Sequence, residues 1–291
     1  MIISVIIPTY KDDIRLLKCL DGLIGQTLNP GFFEVIIVNN FPHLSIKLPG
    51  VYYSSLNLKL IDEIIPGSYA ARNKGIYTAK GDIIAMTDSD CIPDPDWLIN
   101  AYQYFENDKD KIIGIIAGDV PLFYKNPNAL TLAEIYEKYT GFDFFAYTKE
   151  GSCGAGNWFS YKSVLKKFGG FDPKLKSNGD TDLSKKISNK YKVIYAPEVI
   201  VRHPARNTVF QLDYKYRRLL GGVYLRKYNN RHFRFFGHVA DFTWRRFRFS
   251  VKKLFTVNFK EALAISIVCM VISIGAWIEY FYLINGSDTK R

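Results

Sequence analysis

The sequence predicts an α/β protein: a mostly parallel sheet flanked by helices, then a basic amphipathic segment and a C-terminal hydrophobic helix. Three observations carry this prediction. Short apolar runs alternate with helical patterns through the first half, as units with parallel strands and crossover helices require. One of those runs, Ile83 to Thr87, passes straight into Asp88-Ser89-Asp90. The net charge of +11 over 291 residues is also uneven, since residues 202–260 hold 15 Lys/Arg against 2 Asp/Glu. The segments on either side are each near neutral.

The elements follow in order. Ser4 to Ile7 is a short apolar strand closed by Pro8, and Leu16, Leu17, Leu20, Leu23 and Ile24 then recur at helical spacing. Phe33 to Val38 is a second strand ending in Asn39-Asn40. Pro66-Gly67-Ser68 turns the chain into a helix bearing Arg72 and Asn73, with Ser68 as the expected N-cap. After Asp90, Pro93 and Pro95 precede a helix over 96–106, whose Trp97, Ile99, Ala101 and Phe105 read as packing. Ile112 to Ile116 is a further short strand, and residues 128–146 read as a helix interrupted at Gly141.

Composition excludes a disordered chain, for 48% of residues are hydrophobic and 15% aromatic. Cys19, Cys91, Cys153 and Cys269 show neither metal-ligand nor disulfide-framework spacing, which fits a reducing compartment. The apolar N-terminus lacks a basic flank and ends at Pro8, so it reads as a strand rather than a signal peptide.

A buried strand ending in Asp-x-Asp delivers two carboxylates to the sheet edge where open α/β sheets bind ligands. Hard divalent cations take one or two carboxylates together with substrate phosphates. Asp88 and Asp90 therefore suit a metal–diphosphate group; an acidic turn capping the next helix is the alternative.

Taken with Pro8-Thr9-Tyr10, Asn39-Asn40, the Arg72-Asn73 helix, Gly154-Ala155-Gly156-Asn157, Phe168-Gly169-Gly170-Phe171-Asp172 and Gly179-Asp180-Thr181-Asp182-Leu183, this pattern resembles the family 2 glycosyltransferases of GT-A fold. The resemblance covers residues 1–220. It implies an inverting transfer from a nucleotide-sugar, with UDP favoured and Mn²⁺ or Mg²⁺ as cofactor. It further implies that Asp90 binds the metal and that Asp88 contacts the ribose or supports the metal. Asp180 becomes the base, with Asp182 as the other choice because Gly179 stands where the family has an acid. Pro8, Thr9, Tyr10 and Asn40 would lie at the nucleotide base, Arg72 at a phosphate and Asn157 in the donor pocket. Trp158 either stacks on a sugar or packs in the core. His203 falls where some relatives place a metal ligand, with a structural histidine as the alternative. Arg217-Arg218 would contact diphosphate or belong to the basic face.

In the segment 221–260, Trp244, Phe247, Val251, Leu254 and Phe255 share one helical stripe, opposed by Arg245, Arg246, Arg248, Lys252 and Lys253, with Phe249 as the exception. This is the pattern of an interfacial helix on an anionic membrane, with a helix face packed on the globular domain as the alternative. Residues 261–285 are long and apolar enough to span a bilayer, with Glu279 the single charge between Ala262 and Ile284, and 286–291 would form a short tail; a hydrophobic hairpin or a partner-binding helix lying in the interface is the alternative. The basic flank precedes the span, so the front domain is expected on the cytoplasmic side. The acceptor is expected to be lipid-linked, in polysaccharide or glycolipid assembly. Two rival readings stand beside this one. The first is a non-catalytic membrane scaffold, motivated by Asn39-Asn40 and Gly179. The second is a nucleic-acid binder driven by the basic segment, which leaves the apolar tail unexplained; no nucleic-acid partner is expected.

Overall fold

The structure is a computed structural model that describes residues 1–229 and 231–290. Asn230, inside the expected basic segment, and Arg291, the end of the expected tail, lie outside the described residues.

The chain begins with β1 (Ile3–Thr9), α1 (Asp13–Ile24), β2 (Phe33–Asn39), α2 (Gly50–Ser55), β3 (Leu58–Asp62), α3 (Ser68–Thr78) and β4 (Ile83–Thr87). There follow β5 (Ile92–Pro93), α4 (Trp97–Asn107), β6 (Ile113–Asp119), β7 (Leu122–Phe123), α5 (Leu132–Thr140), α6 (Phe144–Lys149), β8 (Asn157–Tyr161), α7 (Lys162–Lys167) and α8 (Gly179–Ser188). Last come β9 (Lys192–Pro204), α9 (Val209–Val223), α10 (His232–Leu254) and α11 (Phe259–Ile284).

Eight strands lie in the order β3-β2-β1-β4-β8-β6-β9-β5. β3, β2, β1 and β4 run parallel, while β8 is antiparallel to both of its neighbours, β4 and β6. Every residue of β1, β2, β4 and β8 is buried, the signature of strands covered on both faces. Close approach has local causes: a Cβ on Gly75 would come within 2.4 Å of the Ile6 side chain, so this glycine lets α3 press onto β1. Because β1, β2 and β4 are parallel, Tyr10, Asn40 and Asp88 emerge at one edge of the sheet.

Gly141 does separate two helices, α5 and α6. Ser68 is not a cap but the first residue of α3. Gly67 holds the cap position with φ +128°, a left-handed geometry that a side chain would strain. All four cysteines are free thiols and buried.

The chain forms two compact units. The sheet unit comprises Met1–Pro121, Phe142–Lys174 and Gly179–His203; the helical unit comprises the described residues of Leu122–Gly141, Leu175–Asn178 and Pro204–Arg291. This division falls after His203, where the sequence points to 220, because α9 buries Leu212 and Leu220 with helical residues rather than with the sheet. The same cluster takes in Tyr136 of α5, Phe235, Val239 and Phe242 of α10, and Ile265, Val268 and Ile272 of α11. Phe249, out of place on the apolar stripe, packs partly buried against this core. Inside the unit, buried Glu137 accepts from Arg206 at 2.8 Å and Lys215 at 3.1 Å, and these two cations hold its carboxyl below the usual range against the opposing effect of burial.

Candidate active site

The site grows from the carboxyl end of β4, where the backbone N–H of Cys91 donates to the Asp88 carbonyl at 3.1 Å and closes a tight turn. This turn aims Asp88 and Asp90 to different partners. Asp88 pairs with Arg72, which is buried on α3. Asp90 Oδ2 lies 3.2 Å from Arg15 Nη1 and 3.9 Å from His203 Nε2. Arg15 is in turn held by Asp12 at 2.7 Å, and Ser89 donates to that same Asp12 at 3.1 Å. Burial pushes the Asp90 carboxyl above its ordinary value; His203 and Arg15 oppose this, and the Asp88 charge adds to it.

Ligating atoms of Asp90, Cys91 and His203 all lie within 4.8 Å of one another. These residues fit a divalent cation. The carboxylate and imidazole supply hard and borderline donors. Burial pushes the Cys91 thiol well up, and a thiol suits a hard cation less well than the carboxylate does. His203 is itself buried, edge-on to Phe142 at 5.1 Å between ring centres.

The second carboxylate sits at the start of α8. Asp180 Oδ1 accepts from the Thr181 N–H at 2.9 Å and from the Tyr69 hydroxyl at 3.4 Å, while Oδ2 accepts from the Ala155 N–H at 3.4 Å. Tyr69 stacks on Phe171 at 5.5 Å and accepts from the Gly179 N–H at 2.9 Å. Its hydroxyl is pushed far up by burial and then by the Asp180 charge, so it stays a donor. Gly179 now has a physical reason: a Cβ there would lie 2.7 Å from the Tyr69 ring, and no acid could occupy the position unless Tyr69 moved. Asp182 pairs instead with Lys186 at 2.7 Å, one turn along the surface of α8.

The segment Gly154–Gly156 borders both carboxylates. A Cβ on Gly156 would sit 3.3 Å from Asp88 Oδ2, and one on Gly154 would meet Phe144 at 3.0 Å and Asp180 Oδ2 at 3.9 Å. The glycines keep this wall bare. The Phe168–Asp172 motif acts behind it, as Asn73 donates to the Phe171 carbonyl at 2.7 Å and accepts from the Phe171 N–H at 2.9 Å. Gly170, at φ +72°, leaves room for that amide.

Several expected roles are revised. The Asn157 side chain is fully buried and committed: it accepts from the Trp97 indole at 2.9 Å and donates to the carbonyls of Asp119 and Val199 at 2.9 and 2.8 Å. It locks β8 to its surroundings rather than facing a donor. Trp158 is wholly buried and packs on Phe171, which settles it as core. Asn40 is also committed, donating to the carbonyls of Glu63 and Ile65 at 3.0 and 2.8 Å and accepting from the Gly67 N–H at 2.6 Å. Asn39 donates to Leu44 O and Asp62, both at 3.0 Å. Asn40 therefore fastens the loop leading into α3 and Asn39 the loop after β2 and the end of β3, tasks that a carboxylate, which only accepts, could not perform.

An Asn40→Asp variant should accordingly lose stability. It would set a carboxylate against two carbonyl oxygens, at a cost of about 1–3 kcal/mol. Thermal unfolding should show a drop of several degrees, and an unchanged melting point would refute the clamp.

Pro8 and buried Thr9 end β1, and exposed Tyr10 follows edge-on to Phe41 at 5.4 Å. Lys11, with φ +53°, stands 4.0 Å over the Phe41 ring. Sequence reasoning overlooked Asp12, Arg15, Tyr69 and this Lys11–Phe41 pair. A lone Asp-x-x-Arg spacing was the sole signal for the first two. Arg217-Arg218 belong to the helical unit, where Arg217 pairs with Glu279 at 2.9 Å.

Known proteins agree with this construction. Residues 4–169, more than half of the chain, match the family described as Glycosyl transferase family 2. The chain is 33% identical over 209 residues to glycosyltransferase AglE of Haloferax volcanii, covering 70% of this chain and 67% of that one. It is 27% identical over 157 residues to a dolichyl N-acetyl-alpha-D-glucosaminyl phosphate 3-beta-D-2,3-diacetamido-2,3-dideoxy-beta-D-glucuronosyltransferase of Methanococcus voltae, covering 51% of this chain and 49% of the relative. Its fold matches the mannosyltransferase PcManGT from Pyrobaculum calidifontis, solved in complex with GDP-Man and Mn²⁺, at a TM-score of 0.61 and 18% identity, over 96% of this chain and 87% of that one. A sheet of GT-A type, its carboxylates at the expected edge and these relatives together establish that the chain is a transferase enzyme belonging to glycosyl transferase family 2.

Proposed function

We propose that the chain transfers a sugar from a nucleotide-diphosphate donor, UDP-linked by preference, to an acceptor hydroxyl in a single inverting displacement. The observation that carries this reading is the bare Gly154–Gly156 wall, which touches Asp88 at one end and Asp180 at the other. Two carboxylates with different partners thus flank one surface open to close approach. Asp180 takes the proton of the acceptor hydroxyl, and the oxygen attacks the anomeric carbon as the bond to the diphosphate breaks. Tyr69 and the Ala155 N–H hold the base in place. Arg72 meets a phosphate, for which its planar fork is suited. Pro8, Thr9 and Tyr10 border the nucleotide base. Asp90, Asp88 and His203 would hold Mn²⁺ or Mg²⁺. Bound there, such a cation neutralises charge on the departing diphosphate.

The acceptor in this reading is lipid-linked, and the chain works at the cytoplasmic face of a membrane in polysaccharide or glycolipid assembly. The basic stretch 202–260 and the apolar helix α11 support membrane attachment. The dolichyl phosphate in the name of the Methanococcus relative supports a lipid-linked acceptor.

Calorimetry on the purified chain tests the donor site, with UDP-, GDP- and TDP-sugars titrated with and without Mn²⁺. Metal-dependent binding of a UDP-sugar is expected. A folded chain that binds none of them would overturn the assignment, and binding indifferent to metal would remove the cation from it.

A further inference from the structure

The helical unit carries two apolar faces that its own core leaves uncovered. On α10, Trp244, Phe247, Val251 and Leu254 are exposed, as is Phe255 at its C-cap, at 56% for Trp244 and 84% for Phe255, whereas Phe235, Val239 and Phe242 point inward. The cations of this helix divide as well. Arg246 lies over the rings of Tyr216 and Phe242 at 4.9 and 4.5 Å, and Lys253 over Tyr139 at 3.9 Å. Arg245, Arg248 and Lys252 stay exposed beside the apolar stripe. On α11, Leu263, Met270, Ile274, Ile278 and Phe281 form a second exposed stripe without a charge. Half-exposed Phe236 of α10 meets Trp277 of α11 at 5.1 Å, so the two faces adjoin.

We propose that these two faces together dock onto an anionic lipid bilayer, with α11 lying in the plane of the membrane surface and not crossing it. The proposal rests on the membrane attachment argued above and specifies its form. Charge selects the occupant. A second copy would bring the same excess of cations against itself, and a nucleic acid offers no hydrocarbon for Trp244 or Phe255. Anionic headgroups over acyl chains satisfy both the bases and the apolar stripe.

Packing selects the orientation. At 26 residues α11 is about 39 Å long, enough to cross. Yet its other face, Ala264, Ile265, Val268, Ile272 and Ala276, is buried with residues of α5, α9 and α10. Glu279, 1% exposed, accepts from Arg217 of α9 at 2.9 Å, and Arg217 also approaches Asp213 at 3.8 Å. Crossing would either carry the charges of α9 into hydrocarbon or strip this face and leave Glu279 unpaired there, and both are costly. Lying in the surface keeps the ion pair and wets only the polar flank. Residues 285–290 then remain on the same side of the membrane as the rest of the chain.

The full chain should cosediment with vesicles of phosphatidylcholine and phosphatidylglycerol and far less with phosphatidylcholine alone. Reversing Arg245, Arg248 and Lys252 to Glu should weaken binding by about a hundredfold or more, three surface charges each counting for roughly a factor of five to ten. In cells, a cysteine introduced by Ser287→Cys should resist a membrane-impermeant maleimide until the cells are opened. Labelling in intact cells would show that α11 crosses, overturning this proposal while leaving membrane attachment standing. A folded chain that ignores both vesicles would overturn both, and self-association in their place would name a second copy as the occupant.

Discussion

An Asp180→Asn variant should bind donor with nearly unchanged affinity and turn over about 10²–10⁴ times more slowly, the range that a positioned general base contributes. The amide oxygen can still accept from the Thr181 N–H and the Tyr69 hydroxyl, and only the long contact from the Ala155 N–H at 3.4 Å is lost, so the start of α8 should hold its shape. What it cannot do is take a proton. The diagnostic pattern is therefore a fall in kcat with a steady KM for the donor, because the lost interaction belongs to the transition state. An Asp182→Asn variant should behave almost as wild type, since that carboxylate is committed to a surface pair with Lys186. A rate within threefold of wild type for Asp180→Asn would overturn the assignment of the base.

Replacing Asp90 by Ala should have the other large effect. Its carboxylate is the point where Arg15 and His203 converge, and its ligating atoms cluster with those of Cys91 and His203. Loss of several kcal/mol of charge stabilisation on the leaving diphosphate corresponds to a rate decrease of about a thousandfold. Donor binding should lose its dependence on Mn²⁺ in the same variant, which separates a metal role from a general loss of folding. His203→Ala should shift the Mn²⁺ concentration for half-maximal binding in the same direction by less. An Asp90→Ala chain whose activity still rises with Mn²⁺ as in wild type would place the cation elsewhere.

How far the sequence made this legible depends on the range of each signal. The β4 strand and its two carboxylates, the helix break at Gly141 and the packing role of Trp97 could all be read from neighbouring residues, because period and punctuation are local properties. The partners of the site could not. Arg15 lies 75 residues from Asp90, and Tyr69 lies 110 from the Gly179 that it holds. No local pattern announces such a pair. The amides at 39 and 40 looked like a weakened nucleotide site because their partners Asp62, Glu63 and Ile65 become neighbours only after β2 and β3 pair. The helical wheel of α10 found two faces where the fold uses three: an apolar face outward, cations beside it and a core face including Phe249. A wheel sorts residues by polarity and cannot say which apolar side meets protein.

The Arg72–Asp88 ion pair bears on the order in which the site fills. A guanidinium and a carboxylate that neutralise each other give a lone anion little reason to stop at Arg72, and give a lone cation equally little at Asp88. A ligand that arrives with both signs can exchange partners with both at once, phosphate to arginine and cation to aspartate. The two loadings then help one another, and linkage makes the help reciprocal: whatever factor the cation adds to donor affinity, the donor adds to cation affinity. If the donor phosphate meets Arg72 and the cation meets Asp88 as proposed, this pocket should respond weakly to free phosphate or free magnesium alone and strongly to their combination.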